Sequence, residues 1–167
     1  MGFLEFPAAG APPAPIEVFP EGALLWSDAA TWDGTPPAEG EAVRIEAGRV
    51  VVLDQDIDVA SLEIEGTLLV AARDTRVRAG WILVRGGGRL ASGTLDQAFR
   101  QRLTITLCAR ETSAPHPRLG SKFLAALDGG TIDLHGAQRA SWVPLGASIA
   151  PGHNLLRLAQ PVDWRAG

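Results

Sequence analysis

From Val43 onward, apolar residues alternate with polar ones in short runs: Val43 and Ile45, Val50 and Val52, Ile57 and Val59, Leu62 and Ile64, Leu68 and Val70. Period-two alternation broken after a few residues by Gly, Asp or Arg predicts short strands with one face buried. Five apolar stretches recur about twenty residues apart, and three of them, 62–66, 82–86 and 124–129, run into glycine. That period is too short for a strand-helix-strand unit of about thirty residues and fits one coil of a parallel β-solenoid. Aligning their centres predicts a ladder Ile45, Ile64, Val84, Ile105, Leu127. The expected fold is all-β, a right-handed parallel β-helix of about five coils, with the recurring glycine turning each corner at positive φ. One short helix is expected over 94–101, with Thr94 as cap and Gln97 as its capping-box partner.

Residues 1–24 lack sustained periodicity and include Pro12-Pro13-Ala14-Pro15. Such a segment cannot donate regular ladder hydrogen bonds and reads as an arm or linker ahead of a solenoid domain over 25–167. The 167 residues suffice for a core without staples. The 19 glycines and 12 prolines favour turns over long helices. A net charge of −4, with no basic stripe interleaved with aromatics, argues against a nucleic-acid partner. No apolar run is long enough for a membrane span, and no basic region and apolar core follow Met1 as in a signal peptide. Cys108 stands alone within a strand pattern, so no intrachain disulfide is available.

Four groups carry candidate chemistry. Trp26 and Trp32, six apart with Asp28 between them, could form a stacking shelf for a sugar ring or an aromatic plug over the first coil. Asp54, Gln55, Asp56 and Asp58 with Glu65 superficially resemble a calcium loop. However, Val59 stands where that loop needs glycine, and a strand with a wet Asp face accounts for the same residues. His135, beside Asp133, Arg139 and Trp142, could transfer a proton or bind a carboxylated sugar, or could be a hydrogen-bonded turn residue. Arg73, Arg76, Arg78, Arg85 and Arg89 form a basic group. The ladder predicts that Arg85 faces Glu65, while Arg76 and Arg78 either line a groove for an anionic polysaccharide or form a solvated face. The three histidines lack zinc-ligand spacing, and no metal or other cofactor is expected.

The ordered combination of Trp26-Ser27-Asp28 with Trp32, Gly48 leading to Asp54, Leu62-x-Ile64-x-Gly66-x-Leu68, Gly86-Gly87-Gly88-Arg89-Leu90, Gly93-Thr94, Lys122 before Gly129-Gly130, Leu134-His135-Gly136, Trp142 and Val162-Asp163-Trp164 resembles the eight-glycine (G-eight) domain family over roughly 25–167. The resemblance implies an extracellular β-rich module that precedes further parallel β-helix repeats, and therefore a segment of a longer protein. It also implies an acidic glycan such as hyaluronan as partner, together with the remaining β-helix of a parent protein. For such a glycan the expected ligand-binding residues, chosen as stacking and carboxylate-binding groups, are Trp26, Asp28, Trp32, Arg85, His135, Arg139 and Trp142. If the chain is catalytic, Asp28 or Asp54 paired with His135 would supply a hydrolase or lyase. The third reading is a structural cap for a longer β-helix.

Overall fold

The computed structural model describes residues 19–108, 114–152 and 154–164. Most of the arm expected over 1–24 lies outside the described residues. The described chain forms twelve strands. They are β1 (Leu24–Leu25), β2 (Ala42–Ile45), β3 (Val50–Leu53), β4 (Ile57–Val59), β5 (Ser61–Ile64), β6 (Thr67–Val70), β7 (Thr75–Ala79), β8 (Ile82–Val84), β9 (Arg89–Ser92), β10 (Leu103–Leu107), β11 (Leu124–Ala126) and β12 (Thr131–Leu134).

Every pairing between these strands is parallel. Sheet A has the order β1-β3-β6-β9-β12, sheet B β11-β8-β5-β2 and sheet C β10-β7-β4. From β2 onward the chain visits B, A and C in turn, completes three rounds and begins a fourth with β11 and β12.

Alternation sets which side chains turn inward. In β7, Thr75, Val77 and Ala79 are buried while Arg76 and Arg78 are exposed. Inward residues meet their counterparts one round away: Val43, Leu62 and Ile82 in sheet B, and Val51, Leu68 and Leu90 in sheet A. These belong to a single core cluster. Each such aliphatic side chain, fully buried, contributes about 1.5–3 kcal/mol.

The predicted ladder holds for Ile45, Ile64 and Val84, which are register partners. It fails beyond them. Ile105 faces Val77 in sheet C, and the partner of Val84 in β11 is Ala126, with Leu127 just past the strand end. The cause is the third round, which is lengthened by excursions over 93–102 and 108–123, so β8 and β11 stand two periods apart in sequence. Alternation alone does not say to which sheet a strand belongs.

The helix expected over 94–101 is absent. Thr94 Oγ1 does accept from Gln97 N at 2.9 Å, as a cap would. However, Thr94 N donates back to Gln97 O, and Phe99 N donates to His135 O, so the segment closes a turn and then joins sheet A. A short 3-10 helix lies instead at Ala29–Trp32, where the Asp28 side chain accepts from Ala30 N.

The corners meet the expectation in part: of the glycines that end the three runs, Gly86 and Gly129 have positive φ, +61° and +80°, and Gly66 does not. Gly66, Gly88 and Gly130 stack level with one another, immediately before β6, β9 and β12. None of the three has a positive φ. Glycine is required there because a Cβ would overlap a carbonyl oxygen of the preceding round: Glu46 O at Gly66, Ile64 O at Gly88 and Val84 O at Gly130.

The two margins of the stack are unlike. At the first, Trp26, Thr31, Val43 and Ile45 are buried, and Gly40 N and Ala60 N bond across to Asp58 O and Glu41 O along β4. At the last, the inward residues Leu103, Ile105, Leu107, Leu124 and Ile132 are only half-buried. Among the described residues, no strand pairs with the outer edges of β10, β11 or β12.

Candidate functional site

The residues expected to bind ligand divide into separate places. Trp26 follows β1 and is 1% exposed; Trp32 meets it edge-on at 4.8 Å and donates from Nε1 to Trp26 O at 2.8 Å. Arg49 lies 5.9 Å from the Trp32 ring and bonds Thr31 O. This is the aromatic plug, and the Trp26 ring has no face open to a sugar. Asp28 is committed to capping the 3-10 helix.

Arg85 lies on sheet B, bound to Glu63 and, at 2.9 Å, to Glu65, as the ladder predicted. Arg44 also reaches Glu65, and its hydrogen bond holds the Glu65 carboxyl below the usual carboxylate range. His135 directly follows β12, with Nε2 2.5 Å from Asp133 Oδ1. The Asp133 carboxyl is likewise held low, first by Arg89 and then by His135. Arg139 binds Asp163, and Trp164 Nε1 donates to Ala140 O, so these residues clasp two parts of the C-terminal segment. Trp142 is 75% exposed. Among the described residues, no hydrogen bond or ring contact joins His135, Arg139 and Trp142.

Sheet register decides the catalytic pairing. Extending the pairs of β1, β3, β6, β9 and β12 by one or two residues puts Ser27, Asp54, Ala71, Gly93 and His135 in a single row at the strand ends. Asp54 accepts from Ser27 N at 3.0 Å and from Ser27 Oγ at 2.5 Å, which places Asp54 and Ser27 on neighbouring strands. Three strand spacings, about 14 Å, separate Asp54 from His135. That exceeds the ~5–10 Å over which two groups act on one glycosidic bond. The structure does not bring the Asp54–His135 pair together.

The suspected calcium loop is the strand β4. Ile57 and Val59 are buried, while Asp56 and Asp58 face out toward arginines. Among the described residues, no group of three or more His, Cys, Asp or Glu side chains is gathered as a metal site.

What the register does assemble is a charged groove on the outer face of sheet C. Asp56, Arg76 and Thr104 form one row across β4, β7 and β10; Asp58, Arg78 and Thr106 form the next. A cavity of about 360 Å³ at the β4 edge is lined by Glu39, Gln55, Asp56, Asp58, Arg76 and Arg78 together with the apolar Trp26, Pro37, Ile57 and Val59. It shares Asp56 and Arg76 with a second cavity of about 240 Å³ that adds Arg73, Asp74, Arg102 and Thr104. Arg76 and Arg78 contact Asp56 and Asp58 at 3.5 Å, and their side chains remain 79% and 56% exposed. A guanidinium carries five donors in a fork, so single long contacts of this kind leave donors for a ligand. Carboxylates beside them can accept from hydroxyls. Arg76 and Arg78 were legible in the sequence; Arg102 and Thr104 were not, because only the parallel pairing of β7 with β10 brings them alongside.

Fold and outer face together define an all-β domain of stacked parallel strands with a polar groove. The chain belongs to the G8 domain family, whose profile matches residues 31–146. It is 34% identical over 146 residues to human (Homo sapiens) fibrocystin-L, covering 85% of this chain and 3% of that protein. It is 32% identical over 116 residues to the cell migration-inducing and hyaluronan-binding protein of Mus musculus, covering 66% and 8%. To the cell surface hyaluronidase of Danio rerio it is 34% identical over 119 residues, covering 65% and 9%. The chain thus spans less than a tenth of the length of these relatives.

Proposed function

We propose that this G8 domain is an extracellular carbohydrate-associated module that binds an acidic glycan such as hyaluronan along the outer face of sheet C. The observation that carries the reading is the groove itself: two rows that run acid, arginine and threonine across three strands, with exposed guanidiniums. Forked donors suit carboxylates, and neighbouring carboxylates and hydroxyls suit sugar hydroxyl groups. The names of two relatives, one hyaluronan-binding and one a hyaluronidase, support the choice of glycan.

Isothermal calorimetry with hyaluronan, chondroitin and a neutral glycan tests the reading. Wild type is expected to bind the two acidic chains, and an Arg76→Ala/Arg78→Ala double variant about tenfold or more weakly. These exposed ion pairs contribute about 0–1 kcal/mol each, so the variant should remain folded. Absence of heat with every glycan would remove the proposal.

A second reading is favoured by the unequal margins. In it the three sheets are the faces of a right-handed parallel β-helix, and the domain closes one end of a longer stack. Trp26, Trp32 and Arg49 seal the first margin. The half-buried residues of β10, β11 and β12 leave a surface for another round. The two readings are compatible, since a rigid stack presents its outer faces whatever its length.

A further inference from the structure

The excursion between β10 and β11 brings two rings, His116 and Phe123, against Trp81, which lies between β7 and β8, in an aromatic cluster set apart from the core. Extending the β8–β11 register by one residue puts Trp81 opposite Phe123. Their rings are nearly parallel, 8° apart, with centroids 5.6 Å apart. His116 stands edge-on to both, at 5.4 and 5.8 Å. The arrangement is held from behind. Trp81 Nε1 donates to Ala114 O at 3.1 Å, and His116 Nδ1 accepts from Arg118 N and Leu119 N at 3.3 and 3.2 Å. His116 and Gly120 exchange two backbone hydrogen bonds. All three rings remain half-exposed.

Two cations adjoin His116 and Phe123 in sequence, Arg118 and Lys122, and residues 114–123 include no acid. Among the described residues neither side chain meets a carboxylate, as is also true of Arg49, Arg100, Arg102 and Arg157, whereas those of Arg44, Arg73, Arg76, Arg78, Arg85 and Arg89 do. Lys122 also occupies a left-handed backbone, φ +59°, fixed by its N–H on Gly80 O at 2.8 Å. Glycine adopts that conformation without steric cost, and a non-glycine residue held there is a pointer to function.

We propose that Trp81, His116 and Phe123 form a stacking platform for an acidic sugar ring whose carboxylate is met by Arg118 and Lys122. A pyranose offers an apolar C–H face that suits an aromatic ring, and a uronic acid adds the anion that suits the two cations. A neutral sugar would use only the rings, and a simple anion only the charges. Trp81 follows Arg78 by three residues across the corner at Gly80, about 10 Å along the chain. The platform therefore lies past the end of the sheet C groove, and one extended glycan can reach both. This site rests on the reading of the domain as an acidic-glycan module and adds a second point of attachment to it.

The test uses the full chain, ¹⁵N-labelled, titrated with a hyaluronan hexasaccharide and, separately, with neutral chitohexaose. The Trp81 indole signal should shift with the acidic hexasaccharide. Lys122→Gly, which relieves the left-handed backbone and so should fold at least as well, and Arg118→Ala should each weaken binding about tenfold without lowering Tm. If wild type binds and both variants bind equally well, the platform is overturned while the glycan reading stands. If the loss appears only in Arg76→Ala/Arg78→Ala, binding is confined to the groove and the platform is again overturned. If wild type binds neither oligosaccharide, both proposals fall.

Discussion

At the scale of single residues, the glycines that punctuate this chain do two different jobs. Gly48 and Gly93 have positive φ, and at Gly93 a Cβ would also lie 2.5 Å from Phe99 N and 2.6 Å from His135 O. Gly66, Gly88 and Gly130 lack a positive φ and are needed because the preceding round passes too close for a side chain. Gly88→Ala should therefore destabilise the fold by about 1–3 kcal/mol, the range for forcing an extra carbon into a packed site. Urea unfolding would measure it, and a loss below about 0.5 kcal/mol would mean that the rounds separate easily at this corner. The sequence showed that glycine recurs; it could not show which of two physical demands each one meets.

At the scale of strands and sheets, the outward face of sheet B carries a linked set of charges: Arg44, Glu63, Glu65 and Arg85. The Glu65 carboxyl is held low chiefly by Arg44, and that of Asp133 on sheet A chiefly by Arg89. A depressed carboxyl pKa in the folded state means that the unfolded chain binds the proton more readily. Stability from these groups is thus complete above the ordinary carboxylate range and is lost as pH falls through the lowered values. Glu65→Gln should lower Tm slightly at neutral pH and converge with wild type at low pH, so that the acid limb of a Tm-against-pH curve is flattened. An unchanged acid limb would show that Glu65 does not contribute.

Strand content and inward faces were legible from Val43 onward because alternation is a local property. The pairing of Arg85 with Glu65 followed from the correct part of the ladder. Ile105 and Leu127 were misplaced because loop length, which decides the sheet a strand joins, leaves no periodic trace. Over 94–101 the capping hydrogen bond was foreseen, but the pull of Phe99 into sheet A overrode the helix. The candidate ligand residues were selected by type and proximity in sequence. The groove residues converge through register, which sequence spacing alone did not supply.

At the scale of the whole molecule, the contrast between margins has an energetic signature. Leu62 is 1% exposed in the middle of sheet B, whereas its counterpart Leu124 on β11 is half-buried. Leu62→Ala should cost about 3–4 kcal/mol, and Leu124→Ala about half as much, because a partly wet side chain surrenders less when removed. Chemical denaturation of the two variants would test this. Equal costs would indicate that the last round is as well packed as the rest and would weaken the proposal that another round stacks upon it.

The direction of this gradient matches the direction of protein synthesis. Residues 24–59 supply the sealed margin, so they emerge from the ribosome before the strands that will lie on them. Each later strand then meets a finished template with its hydrogen-bonding edge presented, and the growing polypeptide is spared the search for distant partners that slows most parallel sheets.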